Sequence, residues 1–477
     1  MRELGRLVLG ALLAAALAGC TVGPDYRRPA AGSPAHWAGP TAGAPQPVAS
    51  GPVAQPAEVR WWRAFGDAEL TTLIARVLAA RATRRMAGAA AGPEVALDAS
   101  YLHARSSRNG LVDISGFVGQ HDYNVWQSSL YASWELDLWG RVRRALEAAD
   151  ARQQAVEDWR RGVLLAVQAQ TASDYIALRG VQAEQDIVRR NLDLARETER
   201  LTQIRFRDGV ATRLEVAQAS AQVKSIQASL PALERERAQR VNALSLMIGA
   251  EPRALEAELA AGTPIPPVPP AVPVGLPSEL AERRPDIREA EARLHAATAE
   301  IGVAVADFYP RITLGASLDL QAMHAGDLGR WGSRAFGVGP ALSLPLFEGG
   351  RLKGQLALSR ASQQAAAVAY RRTVLNAWRE VDDAMTRYRT LQQQRDWQTM
   401  AVEQNRIALA HARRQYVAGA TDFLNVLSVQ QSLLASERAR VQSEAAVSAS
   451  LVGMFKALGG GWQADFPAPR LTVGSAP

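Results

Sequence analysis

The sequence predicts a mainly α chain in which long coiled-coil helices occur in two tandem copies and four β-strands are long enough to cross a membrane. Three observations predict it: a gapless internal repeat, two proline-free stretches of 67 residues, and four segments of alternating hydrophobicity. Together they describe a duplicated half, each copy carrying a strand pair and a helix pair.

The repeat sets the frame. Two segments match at a constant offset of 210 residues, so that Gly140-Arg141 aligns with Gly350-Arg351, Gly209 with Gly419, Leu214 with Leu424, Val216 with Val426 and Gly249 with Gly459. Each copy reads helix, glycine turn, helix over 110 residues. A period that long marks duplication and not a solenoid unit.

Within the copies, Arg141 to Arg207 and Arg351 to Val417 lack proline and are rich in Ala, Gln, Arg and Glu. A continuous helix of that length would extend about 100 Å, more than one globular core can bury. Residues recur at spacings of three and four through Leu178, Val181, Gln185, Val188, Leu192 and Ala195. The returning segment repeats the spacing with Val216, Ala219, Val223, Ile226, Leu230 and Leu233. Such alternation is the seam of a coiled coil.

The strand segments precede each helix pair. Val95, Leu97, Ala99 and Tyr101 alternate with smaller or polar residues, as do Leu130, Ala132, Trp134, Leu136 and Leu138. In the second copy Ile312, Leu314, Ala316, Leu318 and Leu320 alternate likewise, followed by Phe336, Val338, Leu342, Leu344 and Leu346. Each segment is close to the roughly 9–11 residues that a tilted membrane strand needs. One face would meet lipid; the other, with Glu135, Asp137 and Asp319, would meet a water-filled pore. Two hairpins cannot close a barrel, and an open edge in lipid strands its backbone groups without partners. Several chains must therefore combine.

Composition excludes other classes. The 54 Lys+Arg and 47 Asp+Glu leave a net charge of +7, interleaved as in Arg196-Glu197-Thr198-Glu199-Arg200. That is the pattern of solvated helix faces, without the basic block of a nucleic-acid binder. The single cysteine, Cys20, permits no intrachain disulfide, and the six histidines are scattered. Neither metal-ligand spacing nor any nucleophile, phosphate or dinucleotide motif is present. The expectation is a protein that is not an enzyme, with no catalytic residues, metal or cofactor.

The N-terminus reads as a secretory signal over 1–19: Arg2 and Arg6, an apolar run from Leu7 to Ala18, then small residues. Leu17-Ala18-Gly19-Cys20 resembles a bacterial lipobox, which implies cleavage before Cys20 and its acylation, with more than one chain giving a firm anchor. Thr21 follows, a residue compatible with outer-membrane sorting in the lipoproteins it resembles. The Pro/Gly/Ala-rich stretch up to residue 60 is expected to be an extended tether.

These residues resemble the TolC-like outer-membrane channels, in particular efflux lipoproteins of the NodT type. The resemblance runs through Cys20-Thr21-Val22-Gly23-Pro24-Asp25-Tyr26, Trp61-Trp62 with Phe65-Gly66-Asp67, and Leu276-Pro277-Ser278-Glu279-Leu280 with Arg283-Arg284-Pro285-Asp286-Ile287. It continues in Pro345-Leu346-Phe347-Glu348-Gly349-Gly350-Arg351 and Asp422-Phe423-Leu424-Asn425-Val426-Leu427, and covers about residues 18 to 465. It implies a homotrimer forming a 12-stranded barrel in the outer membrane and a 12-helix tunnel across the periplasm. It also implies lipid, a periplasmic adaptor and an inner-membrane transporter of the resistance-nodulation-division class as partners. The expected division is a tether over 20–60, a first repeat over 61–263 and a Pro-rich connector over 264–277. A second repeat over 278–465 and a tail over 466–477 complete it.

The helix–helix turns carry the functional expectation. Gly209 and Gly419 permit positive φ at a helix end, while Thr212 and Asp422 suit the N-caps of the returning helices. Capping alone accounts for these residue types. In the resembling channels the same turns form the closed periplasmic tip and meet the adaptor, which nominates Arg207, Asp208, Gly209, Thr212, Gly419, Thr421 and Asp422 for gating or docking. One region departs from the family. After Ile74 the first helix is short by roughly 14 residues, about 21 Å of rise, which questions how that wall of the tunnel is completed. The leading function is a passive exit channel for small toxic solutes; a duct for type I protein secretion shares the fold, and a purely structural coiled coil is the third reading.

Overall fold

Both proline-free stretches are single helices whose ends agree with the repeat to the residue. The computed structural model describes residues 21–29, 51–53, 61–68, 70–72, 94–105, 122–274 and 279–460. The expected signal sequence, Cys20, the shortened stretch 73–93 and the tail 466–477 lie outside the described residues. In chain order the elements are β1 (Gly51–Val53), β2 (Glu94–Arg105), β3 (Asp122–Leu136), α1 (Arg141–Arg207) and α2 (Arg213–Met247). They continue with β4 (Ala271–Pro273), α3 (Pro285–Ala306), β5 (Arg311–Ala322), β6 (Arg334–Ser343), α4 (Arg351–Val417) and α5 (Phe423–Ala457). The helices α1 and α4 are each 67 residues long, and α2 and α5 each 35.

The chain falls into two compact units that do not follow the repeats, since each takes segments from both copies. One comprises Met1–Arg28, Met86–Gln154 and Glu291–Ala369; the other comprises Pro29–Arg85, Ala155–Ala290 and Tyr370–Pro477.

The first unit is built on an antiparallel sheet in the order β2-β3-β5-β6. Its register stacks Leu97, Leu130, Leu318 and Phe336 across all four strands. Asp98, Ser129, Asp319 and Ala335 form the next row, on the opposite face. The large apolar side chains stand exposed, including Leu97, Trp134, Phe336, Val338 and Leu342. The fourth strand stops at Ser343, short of the expected Leu344 and Leu346. Pro345 lacks the N–H that a continuing ladder needs, while Pro340 is tolerated because β6 is an edge strand.

The same unit straps the chain's start onto α1 and α3. The amide of Val22 donates to the Trp139 carbonyl at 3.1 Å. Gly23 lies against Gly302 so closely that a Cβ would come 2.5 Å from its Cα. Tyr26 stacks on His295 at 4.2 Å, and Arg144 bridges Asp25 and Glu147 at 2.5 and 2.8 Å. The first turn of α1 carries no acid of its own, so these carboxylates also offset arginines placed at the positive end of a helix.

The second unit is helical. The expected seam is buried: Val181, Val188, Leu192 and Ala195 of α1 pack with Val223, Ile226 and Leu233 of α2. Its counterpart joins Val402, Leu409, Ala412 and Tyr416 of α4 to Phe423, Val426 and Leu433 of α5, with Ala219 of α2. Helix α2 runs through Pro231, a break worth about 3 kcal/mol in isolation that packing on both sides overrides. The two copies are keyed to each other by polar groups: buried Asn191 donates to buried Glu437 at 2.9 Å, and part-exposed Arg438 pairs with buried Glu184 at 2.5 Å.

The described residues of the connector lack helix, as its prolines require, and it and the segment just before it are pinned by side chains. Arg179 donates to the Ala261 carbonyl, Gln182 to that of Leu259 and Ser448 to that of Pro266, at 2.7 to 2.8 Å. β4 within it pairs in parallel with β1. Trp61 of the first sequence block is fully buried against Phe455, ring centroids 5.4 Å apart. Asp67 caps the helical turn after it through the Leu70 amide and accepts from the Tyr175 hydroxyl at 2.8 Å.

Candidate channel surfaces and helix tips

The two tips belong to the helical unit and close by the same backbone device. Gly209 has φ +74° and Gly419 φ +73°. At the first tip the Gly209 amide donates to the Phe206 carbonyl and the Val210 amide to that of Arg205, at 3.1 and 2.9 Å. At the second, Gly419 donates to Tyr416 and Ala420 to Gln415, at 3.1 and 2.8 Å. Both are Schellman ends, which require the left-handed glycine.

The caps that restart the chain differ. Thr212 forms a reciprocal box with Glu215: the Glu215 amide donates to the Thr212 hydroxyl at 3.2 Å and the Thr212 amide to the Glu215 carboxylate at 2.5 Å. Asp422 accepts the Asn425 amide at 3.0 Å, and the Asn425 side chain donates to Thr421 at 3.2 Å. Thr212→Ala should cost about 1 kcal/mol, read as faster amide exchange over the first turn of α2 with the rest of the helix unchanged.

Arg207 and Asp208 are exposed, and neither side chain has a hydrogen-bond or ionic partner among the described residues. Leu214 and Leu424, equivalent through the repeat, are exposed on the two returning helices, as are Val210 and Val417 at the turns.

The sequence did not nominate the residue that joins the tips. Arg205, in the last turn of α1, donates to the Val417 carbonyl at 3.3 Å and lays its guanidinium 4.7 Å above the Tyr416 ring. Tyr416 packs on Phe423 at 5.5 Å. Burial, reinforced by the Glu215 charge, pushes the Tyr416 phenol above its ordinary pKa and keeps it neutral. Deeper in, Arg413 reaches from α4 to the Thr198 hydroxyl at 2.8 Å.

The three acids nominated for the pore occupy two kinds of place. Asp319 lies mid-strand on the polar face of the sheet, opposite Ser129. Glu135 shares that face near the end of β3 and holds Arg141 through two bonds of 2.8 and 2.5 Å. Asp137 lies just past the strand, where it accepts the Val142 and Arg143 amides at 2.9 Å and pairs with the Arg143 guanidinium. It is therefore the N-terminal cap of α1.

Among the described residues no helix is long and apolar enough to cross a membrane, and no cluster of His, Cys, Asp and Glu is arranged to hold a metal ion. Aromatic pairs lie at both ends of the sheet. Trp139 stacks on Tyr309 at 4.9 Å where the strands meet the helices, and Tyr101 packs on Trp126 at 4.5 Å toward the opposite end. Two aromatic girdles around an apolar band are the surface pattern of an outer-membrane strand.

Comparison with known proteins gives this arrangement a family. A family model described as outer membrane efflux protein matches residues 66–250 and 276–460, two spans that begin 210 residues apart. The chain is 36% identical over 427 residues to the pyoverdine export outer membrane protein OpmQ of Pseudomonas aeruginosa, covering 85% of this chain and 88% of that one. It is 32% identical to the toluene efflux pump outer membrane protein TtgC of Pseudomonas putida, covering 95% of each. Among solved structures, the outer-membrane channel OprN superposes with a TM-score of 0.80 at 32% identity, over 93% of this chain and all of that one. The outer membrane protein VceC of Vibrio cholerae superposes at 0.73 with 29% identity, over 85% of this chain and all of that one. The chain belongs to the outer membrane efflux protein family and has the fold of its TolC-like channels.

Proposed function

We infer that three copies of this chain assemble into the exit duct of a tripartite efflux pump, a passive conduit for small toxic solutes across the periplasm and outer membrane. The observation that carries this reading is the sheet: one face apolar and exposed, one polar, with β2 and β6 as edges. Four strands have two unsatisfied edges, and only closure with other copies removes them in lipid. A strand of 12 residues is about 40 Å long, enough to cross an apolar band of about 25 Å when tilted. Glu135 and Asp319 then face the water-filled lumen, and Cys20 carries the lipid anchor.

Energy comes from elsewhere. A periplasmic adaptor and an inner-membrane transporter of the resistance-nodulation-division class would deliver solute to the tips. Relatives are named for cargoes as different as pyoverdine and toluene, which fits a wide duct whose selectivity lies in the pump. The division into anchor, two repeats and connector follows from the same reading, whereas the tether expected over 20–60 is interrupted at residues 22–26 and 51–53, which pack against other elements.

The reading is tested by reconstituting the full chain in planar bilayers, where stepwise conductance is expected and its absence would leave a structural coiled coil. Docking has its own test. Leu214→Glu combined with Leu424→Glu should abolish pump-dependent solute resistance in a strain lacking its own channel, while trimer yield and bilayer conductance stay at wild-type values. Full resistance in that variant would move the docking surface away from the tips.

A further inference from the structure

The apolar sheet face ends in a rim of a different character at the hairpin ends of its strands, opposite the ends that run on into α1 and α4. Register places Tyr101, His103 and Arg105 of β2 and Arg334 of β6 on the same face as Leu97, Leu318 and Phe336. The Tyr101 hydroxyl donates to the Asn124 side-chain oxygen at 3.0 Å, and His103 Nδ1 lies 2.8 Å from that same atom. Trp331 is three-quarters exposed and lies beneath the Arg334 guanidinium, 5.3 Å from ring centre to Cζ.

Among the described residues, Arg334 and Arg105 at the rim lack the close carboxylate partners that the arginines of the helix end have, while Arg330 in the rim loop pairs with Asp327 at 3.1 Å. At the helix end Arg141, Arg143 and Arg311 are held by Glu135, Asp137 and Asp307 at 2.5 to 3.1 Å, and Arg351 is paired with Glu348. At the rim Arg334 meets no carboxylate among the described residues and donates only to the Gly329 carbonyl, at 3.2 Å. Arg105 stands 3.7 Å from Asp122, with both side chains more than half exposed. A planar guanidinium fanned over an exposed indole, beside an apolar band, keeps its remaining donors for an oxyanion.

We propose that this rim binds the phosphate groups of outer-leaflet lipid, with Arg334 and Arg105 as the phosphate ligands and Tyr101, Trp126 and Trp331 seated at headgroup depth. The occupant is a phosphate-bearing lipid and not free phosphate, because Phe336 and Leu318 begin directly below the cations and need acyl chains against them. Amphipathic aromatics belong at that boundary, and arginine meets phosphate through parallel charge-assisted bonds. The assignment rests on reading the sheet as part of an outer-membrane barrel.

The test uses the full acylated chain in nanodiscs, titrated with a bisphosphorylated diglucosamine lipid and with the same lipid after phosphate removal. Native mass spectrometry counts the lipid retained. Wild type should retain the phosphorylated form, and Arg105→Gln with Arg334→Gln should lower its affinity roughly thirty-fold at about 1 kcal/mol for each cation near the surface. Arg311→Gln, at the other end of the sheet, should change nothing. Equal retention of the dephosphorylated lipid, or wild-type retention by the double variant, overturns the proposal. Displacement of bound lipid by millimolar inorganic phosphate would assign the rim to a free anion and also overturn it. Bilayer conductance of the same samples is a separate readout: a conducting wild type without lipid selectivity sinks the rim and spares the channel, whereas no conductance sinks the channel reading.

Discussion

Replacing Arg284 with alanine should destabilise the chain by about 3 kcal/mol, seen as a lower melting temperature of the detergent-solubilised assembly. Its side chain is only 8% exposed and serves three partners at once. It donates to Asp286 at 2.7 and 3.0 Å, to Glu380 at 2.7 Å and to the Ala457 carbonyl at 2.7 Å, where α5 ends. Burial alone would lower the guanidinium pKa; the hydrogen bonds and charges of Asp286 and Glu380 more than offset it, and the pKa is raised. The arginine therefore stays charged and neutralises the negative end of α5. Removing it leaves a helix C-terminus and two carboxylates uncompensated. Because both acids are half-exposed, water takes up part of that loss, which holds the figure to the low end of what breaking a buried pair costs. Arg284→Lys should recover only part of it, since one ammonium cannot span a carboxylate, a second carboxylate and a carbonyl. A melting curve unchanged by Arg284→Ala would mean that the partners re-pair without it.

The surroundings explain why this residue sits in so recognisable a motif. Pro285 starts α3 where its missing N–H does no harm, and Asp286 supplies the acid in the first turn. Gly459, just past α5, has φ +72°, and a Cβ there would come 2.7 Å from Arg284 Cγ. Its repeat partner Gly249 has the same backbone conformation, φ +76°, with nothing within 4 Å of the added Cβ. The two glycines share a turn, and only one of them also makes room for an arginine.

Local rules made the helices legible and left their partnerships hidden. The ends of α1, α2, α4 and α5 follow from glycine and cap chemistry that acts within six residues, and the 210-residue offset checks each against its copy. The buried seam follows from a spacing of three and four, which specifies a face. It does not specify what that face meets. Arg205 and Tyr416 are 211 positions apart, and nothing in either segment's periodicity links them. Arg284, Glu380 and Ala457 likewise come together only through tertiary packing. Asp137 shows another limit: alternation extends one step past the strand, and nothing in it reveals that this acid also caps a helix. Pro345 was the visible stop signal for β6, yet the apolar pattern running through it hid the strand's end. The strand faces themselves were readable because one side of a sheet must be apolar when lipid is its solvent.

Arg205→Ala should loosen the tips and raise single-channel conductance in planar bilayers several-fold, with the assembly still intact in detergent. The side chain ties the last turn of α1 to the last turn of α4 through the Val417 carbonyl and the Tyr416 face, and both tips are otherwise closed by hydrogen bonds within their own turns. It is held at some cost, since its Nε is buried without a partner among the described residues, so loss of the arginine weakens the link between tips more than it weakens either helix. Arg205→Lys keeps the charge and loses the planar stack on Tyr416, and should conduct at a level between the two. Asp422 separates charge from capping in the same recordings. Asp422→Asn retains an N-cap of comparable quality while removing the anion, so a conductance change there would place Asp422 on the permeation path. An effect confined to Asp422→Ala would assign it to the α5 cap alone. If Arg205→Ala conducts as wild type does, the tips are held shut by contacts between chains and the link within the chain carries no share of the gate.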